Sequence, residues 1–241
     1  MISIVSAYYN RKDLLINTLE SLKNSEVKDY EYIVVDDVSS DEHRIEDLQD
    51  LYPNLKVIRI EKEDKWWINP CVPFNIGFKE IKGDIVIIQN PECKHVGDVM
   101  KKSLEITDNE YFSFACYSLD KESTYNKKDF EILNVAATMD GQLSWYNHSI
   151  YRPKGYHFCS VITKKNLEIL NGFDQRYSLG LAYDDDEFLF RVNKKGLQIK
   201  IIDYPFVAHQ WHQSVNYSHL NASELLEKNK NLLLNYTMKN L

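Results

Sequence analysis

Three short clusters of acidic and amide side chains in this sequence can bind cations, accept hydrogen bonds or take up protons. They are Asp36-Asp37 with Asp41, Asn90-Pro91-Glu92, and Asp184-Asp185-Asp186-Glu187. Each cluster also has an ordinary structural explanation, because the helix dipole favours acidic residues at a helix N-terminus and aspartate with serine favours turns. The clusters indicate a functional site only if the fold brings them together.

Two histidines follow the last acidic cluster and offer nitrogen atoms for metal binding or proton transfer. His209 and His212 stand in the sequence Val207-Ala-His-Gln-Trp-His212. Neutral imidazole is a common metal ligand, and its charge changes near neutral pH. A histidine pair on the polar face of a strand or loop is the structural alternative.

The elements that must position these clusters follow the alternating pattern of a βαβ sheet in the first hundred residues. Short β-branched runs predict strands over 2–7, 32–36, 56–60 and 85–88. Between them we expect a helix capped by Asn10, a helix through Ile45 and Leu48, and a helix from Phe74 to Gly83. The first two clusters therefore follow strand ends, which is the usual ligand edge of an open α/β sheet.

The second half of the chain has a looser pattern. It predicts strands over 111–117, 158–163 and 198–202, helices over 167–170 and 184–195, and loops with short strands over 120–155. The third acidic cluster falls at the start of a helix. A last helix over 221–241 carries leucines on one face, which we expect to dock on the body of the protein or on a partner.

Composition excludes several classes of protein. With 29 Lys and Arg against 36 Asp and Glu, the net charge is −7, which argues against a dedicated nucleic-acid binder. The 8 glycines form neither a dinucleotide-binding nor a P-loop motif. The spacing of the 4 cysteines predicts reduced, buried thiols. Because neither a signal peptide nor a membrane-spanning run is visible, we expect a cytoplasmic protein.

Five segments, taken in order, resemble nucleotide-sugar glycosyltransferases of family 2, which have the GT-A fold. They lie at 5–11, 32–41, 83–92, 172–174 and 184–191, so that the resemblance covers residues 1–212. It implies an α/β fold with a Rossmann-like, mostly parallel central sheet flanked by helices and a C-terminal helical extension. The expected organisation is one domain, with a nucleotide-sugar-binding half (1–110), an acceptor and catalytic half (111–212) and a helical segment (213–241).

The resemblance also assigns a donor site. Tyr9 corresponds to an aromatic that stacks on the nucleobase, and Asp37 corresponds to a carboxylate that accepts a hydrogen bond from the base. A tyrosine face and a carboxylate are physically suited to these roles. The expected nucleotide-sugar-binding residues are Ala7, Tyr9, Asn10, Asp37, Asn75, Asn90 and Pro91.

A metal site is implied at the position of the family's Asp-x-Asp motif, which holds Mn²⁺ or Mg²⁺ and through it the diphosphate. Here Asn90 and Glu92 replace the two aspartates, so one ligand charge is lost and a weaker metal site is expected. The residues assigned to metal binding are Glu92, His209 and His212.

The catalytic assignment rests on the third acidic cluster. Counted back from Arg191, Asp184 and Asp185 match an acidic pair of the family, and Asp185 falls at the position of its general base. A carboxylate there would take the proton of an acceptor hydroxyl as that oxygen attacks the anomeric carbon, and direct displacement inverts that centre. Acceptor contacts are expected from Trp67, Trp145 and His148.

The predicted activity is therefore that of an inverting glycosyltransferase of the hexosyltransferase type. It would move a sugar from a nucleotide-diphospho-sugar, UDP-linked, to a hydroxyl of a glycan or lipid-linked saccharide. Two alternatives stay open: a non-catalytic GT-A-like protein that binds nucleotide or glycan, and a sugar-phosphate nucleotidyltransferase with a similar sheet. We expect no nucleic-acid partner and no membrane span, and leave open peripheral membrane association and a homodimer through the C-terminal segment.

Overall fold

The computed structural model describes residues 1–125, 131–138, 141–213 and 221–240. Its strands are Ile2–Tyr8 (β1), Tyr30–Asp36 (β2), Leu55–Arg59 (β3), Ile85–Gln89 (β4), Cys93–Val96 (β5), Glu110–Ser118 (β6), Ser144–Asn147 (β7), Cys159–Thr163 (β8) and Gln198–His209 (β9). Its helices are Lys12–Leu22 (α1), Cys71–Phe78 (α2), Val99–Ser103 (α3), Lys121–Tyr125 (α4), Lys164–Leu170 (α5), Asp184–Lys194 (α6) and Ala222–Asn240 (α7). The predicted α/β class with a C-terminal helix is confirmed.

The described strands form one mixed sheet in the order β3-β2-β1-β4-β8-β6-β9-β5, with β7 paired to β6. Strands β1 to β4 pair in parallel, as the βαβ pattern predicts. Beyond β4 the pairing is mostly antiparallel: β8 runs against both β4 and β6, and β9 against β5. The sheet is therefore mixed: it is parallel in the first half of the chain, as expected, and in the second half β6 and β9 also pair in parallel.

Both faces of the sheet are covered, which explains why its central strands are apolar at almost every position. Along β2, Tyr32 and Val34 pack into one core cluster with leucines of α1, while Ile33 and Val35 pack into another with α2. Successive side chains of a strand point to opposite faces, so each strand supplies both cores. The carboxyl ends of the strands are left at one edge, where the polar clusters follow.

Several predicted boundaries were wrong for tertiary reasons. The segment through Ile45 and Leu48 forms short 3₁₀ turns rather than an α-helix, and α2 ends at Phe78, before Gly83. A side chain at Gly83 would lie 2.6 Å from the backbone oxygen of Met1, so this glycine allows a close backbone approach rather than a helix exit. Strand β9 extends to His209 because it pairs with β6 and then also with β5.

Asn10 does not cap α1. It lies in the left-handed region with φ 51°, and Arg11 stands at the N-cap without a side-chain cap hydrogen bond. The side-chain oxygen of Asn10 instead accepts two hydrogen bonds from Ser40, one from the backbone nitrogen at 2.9 Å and one from the hydroxyl at 3.3 Å. Asn10 thus ties the loop after β1 to the loop after β2.

Two expectations from composition can be checked directly. All 4 cysteines are free and buried, as predicted. Among the described residues, no helix combines the length and the apolar character that crossing a bilayer requires.

Candidate active site

A cavity of about 600 Å³ lies where the carboxyl ends of β1, β2 and β4 face the start of α6. Residues from all three polar clusters line it, although they lie far apart in the sequence. Of the side chains expected at the site, the cavity wall contains Ala7, Tyr9, Asp37, Trp67, Asn90, Pro91, Glu92, Asp184 and Asp185. The structure therefore brings most of the predicted residues together.

One end of the cavity is formed by Tyr9 and Asp37. The Tyr9 ring is exposed, and the ammonium of Lys65 lies 5.5 Å from its centroid. Asp37 accepts hydrogen bonds from Lys65 at 2.8 Å and from the indole nitrogen of Trp67 at 2.9 Å. This end presents an aromatic face beside a carboxylate that keeps free lone pairs, as the nucleobase assignment requires.

The neighbouring Asp36 has a structural role. It is fully buried, pairs with Arg59 at 2.6 Å and accepts a hydrogen bond from the backbone nitrogen of Ser39 at 2.9 Å. Adjacent side chains at a strand end point in opposite directions. Asp36 therefore fixes the loop, and Asp37 is left to face the cavity.

Glu92 forms a second centre, where one arginine and two histidines surround the carboxylate. Its Oε1 lies 2.7 Å from Arg11, 3.2 Å from Nε2 of His209 and 3.5 Å from Nε2 of His212. The backbone explains this convergence, because β5 begins one residue after Glu92 and pairs Cys93 with His209 of β9. The predicted trio Glu92, His209 and His212 is thus assembled by strand pairing, and Arg11 is a partner that sequence reasoning missed.

This centre fits a divalent cation. Ligand atoms of Glu92, His209 and His212 lie within 4.8 Å of one another, and within the described part of the chain the buried Oε2 of Glu92 has no hydrogen-bond partner. Burial alone would raise the pKa of Glu92, but Arg11 and the two histidines outweigh it and hold the pKa well below its usual value. The carboxylate is therefore charged whenever a cation is available to bind.

Asp184 and Asp185 form a third centre at the N-terminus of α6. Asp184 is buried and accepts a hydrogen bond from the amide of Asn69 at 2.8 Å. The ring of His157, also buried, places a nitrogen within 4.8 Å of both carboxylates. Asp185 is partly exposed and lines the cavity. Neither Asn69 nor His157 is expected from the sequence, since no motif marks them.

The electrostatics of this centre oppose ionisation. Burial, together with the nearby charge of Asp185, raises the pKa of Asp184 to about 7. Burial and the charge of Asp186 raise the pKa of Asp185 to about 6. Burial also lowers the pKa of His157, which keeps its ring neutral. The pair thus exchanges protons near neutral pH, as a general base must.

The rest of the acidic run is used elsewhere. Asp186 accepts a hydrogen bond from the hydroxyl of Tyr156 at 2.8 Å. Glu187 is fully buried and binds Arg191 one turn later through both carboxylate oxygens, at 2.6 and 2.7 Å. The same arginine donates to the backbone oxygens of Leu170 and Gly172, so this pair anchors α6 to the preceding turn. Only the first half of the run faces the cavity.

Besides Asn10, which binds Ser40 and is not among the described residues of the cavity wall, four expected residues lie elsewhere or make other contacts. Asn75 binds the backbone nitrogen and oxygen of Phe173 at 2.8 and 2.7 Å, so it clamps a turn instead of lining the cavity. Trp145 is 4% exposed and packs on Phe206. The ring of His148 lies 4.5 Å from that of Trp145, tilted by 55°. Neither Trp145 nor His148 is among the described residues of the cavity wall. Trp67 lines the cavity, but its indole binds Asp37 and so belongs to the Tyr9 end.

A larger depression of about 830 Å³ lies on another surface, between α5, α6 and α7. Its arginines are already paired, Arg191 with Glu187 and Arg176 with Asp174. It contains none of the residues of the three centres. The residues of the three centres therefore favour the smaller cavity as the candidate active site.

Comparison with known proteins agrees with this fold. The chain belongs to glycosyl transferase family 2, whose family model matches residues 3–165. A dolichol-phosphate mannosyltransferase from Pyrococcus furiosus is 31% identical over 111 residues, covering 45% of this chain and 30% of the relative. The amylovoran biosynthesis glycosyltransferase AmsB from Erwinia amylovora is 22% identical over 84% of this chain and 67% of its own length.

Solved structures show the same fold. S. aureus TarS in complex with UDP-GlcNAc superimposes with a TM-score of 0.66 at 15% identity, covering 90% of this chain and 60% of that one. The mannosyltransferase PcManGT from Pyrobaculum calidifontis, in complex with GDP-Man and Mn²⁺, superimposes with a TM-score of 0.58 at 16% identity. The match covers 86% of this chain and 56% of that one. The expected GT-A fold is confirmed, and the chain spans less than two thirds of both neighbours.

Proposed function

We propose that this protein is an inverting glycosyltransferase that uses a nucleotide-diphospho-sugar, with Asp185 as the general base. One observation carries the proposal: a single cavity is lined by Tyr9 and Asp37, by Glu92 and by Asp184 and Asp185. Base recognition, diphosphate binding and proton transfer then have separate side chains within one site. Family membership favours this activity over the nucleotidyltransferase alternative.

In the proposed reaction an acceptor hydroxyl oxygen bonds to the anomeric carbon while the bond from that carbon to the diphosphate oxygen breaks. The hydroxyl proton goes to Asp185, and the bonding electron pair leaves with the nucleoside diphosphate. Asp185 suits this role because it is partly exposed in the cavity and has a pKa raised to about 6. Asp184, held by Asn69, stands beside it at the start of α6, and its hydrogen bond lowers the pKa of Asp185 against the effect of burial.

Glu92, His209 and His212 would hold a divalent cation, for which Mn²⁺ and Mg²⁺ are the candidates. A carboxylate with two imidazoles suits Mn²⁺ better than Mg²⁺, since Mg²⁺ prefers oxygen ligands. When bound, such a cation offsets the charge that develops on the diphosphate. Arg11, 2.7 Å from Glu92, supplies a fixed positive charge at the same place.

For the donor we propose a UDP-sugar, and for the acceptor a glycan or lipid-linked saccharide. The UDP-GlcNAc complex of TarS supports the donor, while PcManGT, which binds GDP-Man, makes a GDP-sugar the main competitor. The relative named for amylovoran biosynthesis supports this acceptor class.

The test is a panel of UDP-GlcNAc, UDP-glucose and GDP-mannose, each measured with Mn²⁺, Mg²⁺ or EDTA. Melting temperature and slow release of free sugar are recorded, because a ligand that binds the folded state raises the melting temperature. Stabilisation and sugar release with a UDP-sugar support the proposal. A response to GDP-mannose alone would overturn the donor, and stabilisation without any sugar release would indicate a non-catalytic binding protein.

A further inference from the structure

The C-terminal helix α7 packs against the loop that leads into the acidic helix α6. The backbone nitrogen of Leu181 donates to the oxygen of Leu225 at 3.1 Å, and Lys228 donates to the oxygen of Leu179 at 3.2 Å. At the far end of α7, the ring of Tyr236 packs on Phe190 at 5.7 Å. The segment 179–183, which we name the approach loop, is thus held between the two helices.

Asn229 is the centre of this contact. It is fully buried, and its amide donates to the backbone oxygens of Tyr177 at 3.1 Å and Ala182 at 2.9 Å. The oxygen of Tyr177 lies two residues before the approach loop and that of Ala182 lies within it, so one side chain ties the loop to the turn that precedes it. Buried peptide oxygens need such a donor, because water cannot replace it inside the protein.

Gly180 lets Asn229 come this close. A side chain at Gly180 would place its first carbon 2.1 Å from Oδ1 of Asn229, which no packing permits. Among the described residues that Oδ1 has no hydrogen-bond partner, so the amide nitrogen carries the contact. Loop and helix are therefore shaped to each other at this point.

The approach loop leads directly to the cavity. Leu181 and Ala182 line the cavity, and Asp184 follows them after a single residue. Ala182 and Tyr183 are both left-handed, with φ 54° and 64°, a conformation that residues other than glycine adopt at a cost. Contacts outside the loop must hold such a conformation, and Asn229 binds the oxygen of Ala182.

The same segment also orients the partner of Asp184. The backbone oxygen of Ser178, just before the approach loop, accepts hydrogen bonds from Ile68 at 2.8 Å and Asn69 at 3.0 Å. The Asn69 side chain in turn donates to Asp184. A shift of this segment would therefore displace the carboxylate and its hydrogen-bond donor together.

We propose that Asn229 is a positioning residue for transfer, which acts through the approach loop to set the places of Asp184, Asp185 and Asn69. This inference rests on the proposed function. It gives α7, which lies outside the matched range 3–165, a part in the active site although none of its side chains reaches the cavity wall in the described structure.

The experiment compares Asn229→Ala with Asn231→Ala, the same change at an exposed position of α7. In Asn229→Ala we expect kcat to fall about tenfold to 100-fold, because small displacements of catalytic groups are costly. The donor KM should stay unchanged, since Tyr9 and Asp37 are not moved. Asn231→Ala should behave as wild type. Hydrogen exchange at 178–185 should be faster in Asn229→Ala alone, with exchange in β1 and β2 unchanged.

Gly180→Ala tests the contact from the side of the loop. It displaces the Asn229 side chain without changing the sequence of α7. It should reproduce the loss of kcat and the faster exchange. If Asn229→Ala only lowers the melting temperature, with kcat and loop exchange as in wild type, the residue is structural and the proposal is overturned. If wild type transfers no sugar while loop exchange still responds, the proposed function fails and the loop contact stands.

Discussion

The cavity has two carboxylate centres with opposite electrostatics. Around Glu92, Arg11 and two histidines hold the pKa well below its usual value. Around Asp184 and Asp185, burial and neighbouring carboxylates raise the pKa values to about 7 and 6. Both centres are largely withdrawn from water, so burial does not distinguish them. Burial is the largest cause of the raised pKa values of Asp184 and Asp185, and only at Glu92 do the neighbouring groups outweigh it.

The difference separates binding from proton transfer. A carboxylate whose pKa is held well below its usual value can hold a cation and balance a diphosphate, but it is a poor base near neutral pH. A carboxylate with a pKa near 6 or 7 can take a proton and release it. One cavity thus holds two kinds of carboxylate, and their surroundings assign the roles.

Removing the base should have the largest effect. Asp185→Asn is expected to lower kcat about 10³-fold, because general-base catalysis of this kind contributes about 10² to 10⁴. In wild type, kcat should fall as the pH drops below the pKa of about 6, since the protonated carboxyl cannot accept the acceptor's proton. Initial rates from pH 5 to 8 check both statements. Asp50→Asn, at an exposed position, is the control. Unchanged turnover in Asp185→Asn would show that Asp185 is not the general base.

Neutralising the other centre should affect both binding and stability. In Glu92→Gln, Arg11, His209 and His212 lose their anion, so the free energy of unfolding should fall by about 3 kcal/mol. Donor binding in the presence of Mn²⁺ should weaken at least about tenfold. Calorimetry with and without EDTA measures this. Glu46→Gln, which breaks a more exposed pair with Arg44, should cost less than about 1 kcal/mol; equal effects in the two variants would contradict the contrast.

The position of Trp67 gives a smaller and more specific effect. Trp67→Phe keeps an aromatic ring but removes the hydrogen bond to Asp37, so the donor KM should rise about fivefold. The acceptor KM and kcat should not change. The exposed Trp66 provides the matched control, Trp66→Phe. A change in the acceptor KM alone would restore the acceptor role expected from the sequence.

The last expected effect is a gain in stability. The pKa of Asp184 is about 7 in the folded protein, above its usual value of 3.8. The protonated carboxyl therefore contributes to stability, fully below about pH 4, and this contribution is lost as the pH rises through 7. Asp184→Asn avoids the loss and still accepts a hydrogen bond from Asn69. Its melting temperature should exceed that of wild type at pH 8, by about 2–4 °C for each kcal/mol gained, and match it at pH 4. A lower melting temperature at pH 8 would contradict the raised pKa.

Much of the fold and many site residues follow from local sequence patterns. The strands β1, β2 and β4 are short apolar runs, and the residues after them, among them Tyr9, Asp37 and Glu92, do reach one cavity. This succeeds because parallel strands place their carboxyl ends at the same edge. The roles of the aromatic residues could not be predicted in the same way. Trp145 and Trp67 are equally suited to a sugar or to a core, and only their neighbours distinguish these uses.

By itself, the sequence determined the α/β class, the first four strands and the acidic start of α6, because each depends on periodicity or on motifs within short segments. The trio Glu92, His209 and His212 was expected only from the resemblance to family 2. Tertiary structure alone decided that Asp36 is structural and Asp37 faces the cavity, that Arg11 adjoins Glu92, that Asn69 and His157 lie beside Asp184, and that Asn229 binds the loop before it. These contacts join residues far apart in the chain, and their energies depend on burial and neighbouring charge. No local pattern encodes either quantity, because both arise only when distant segments pack together.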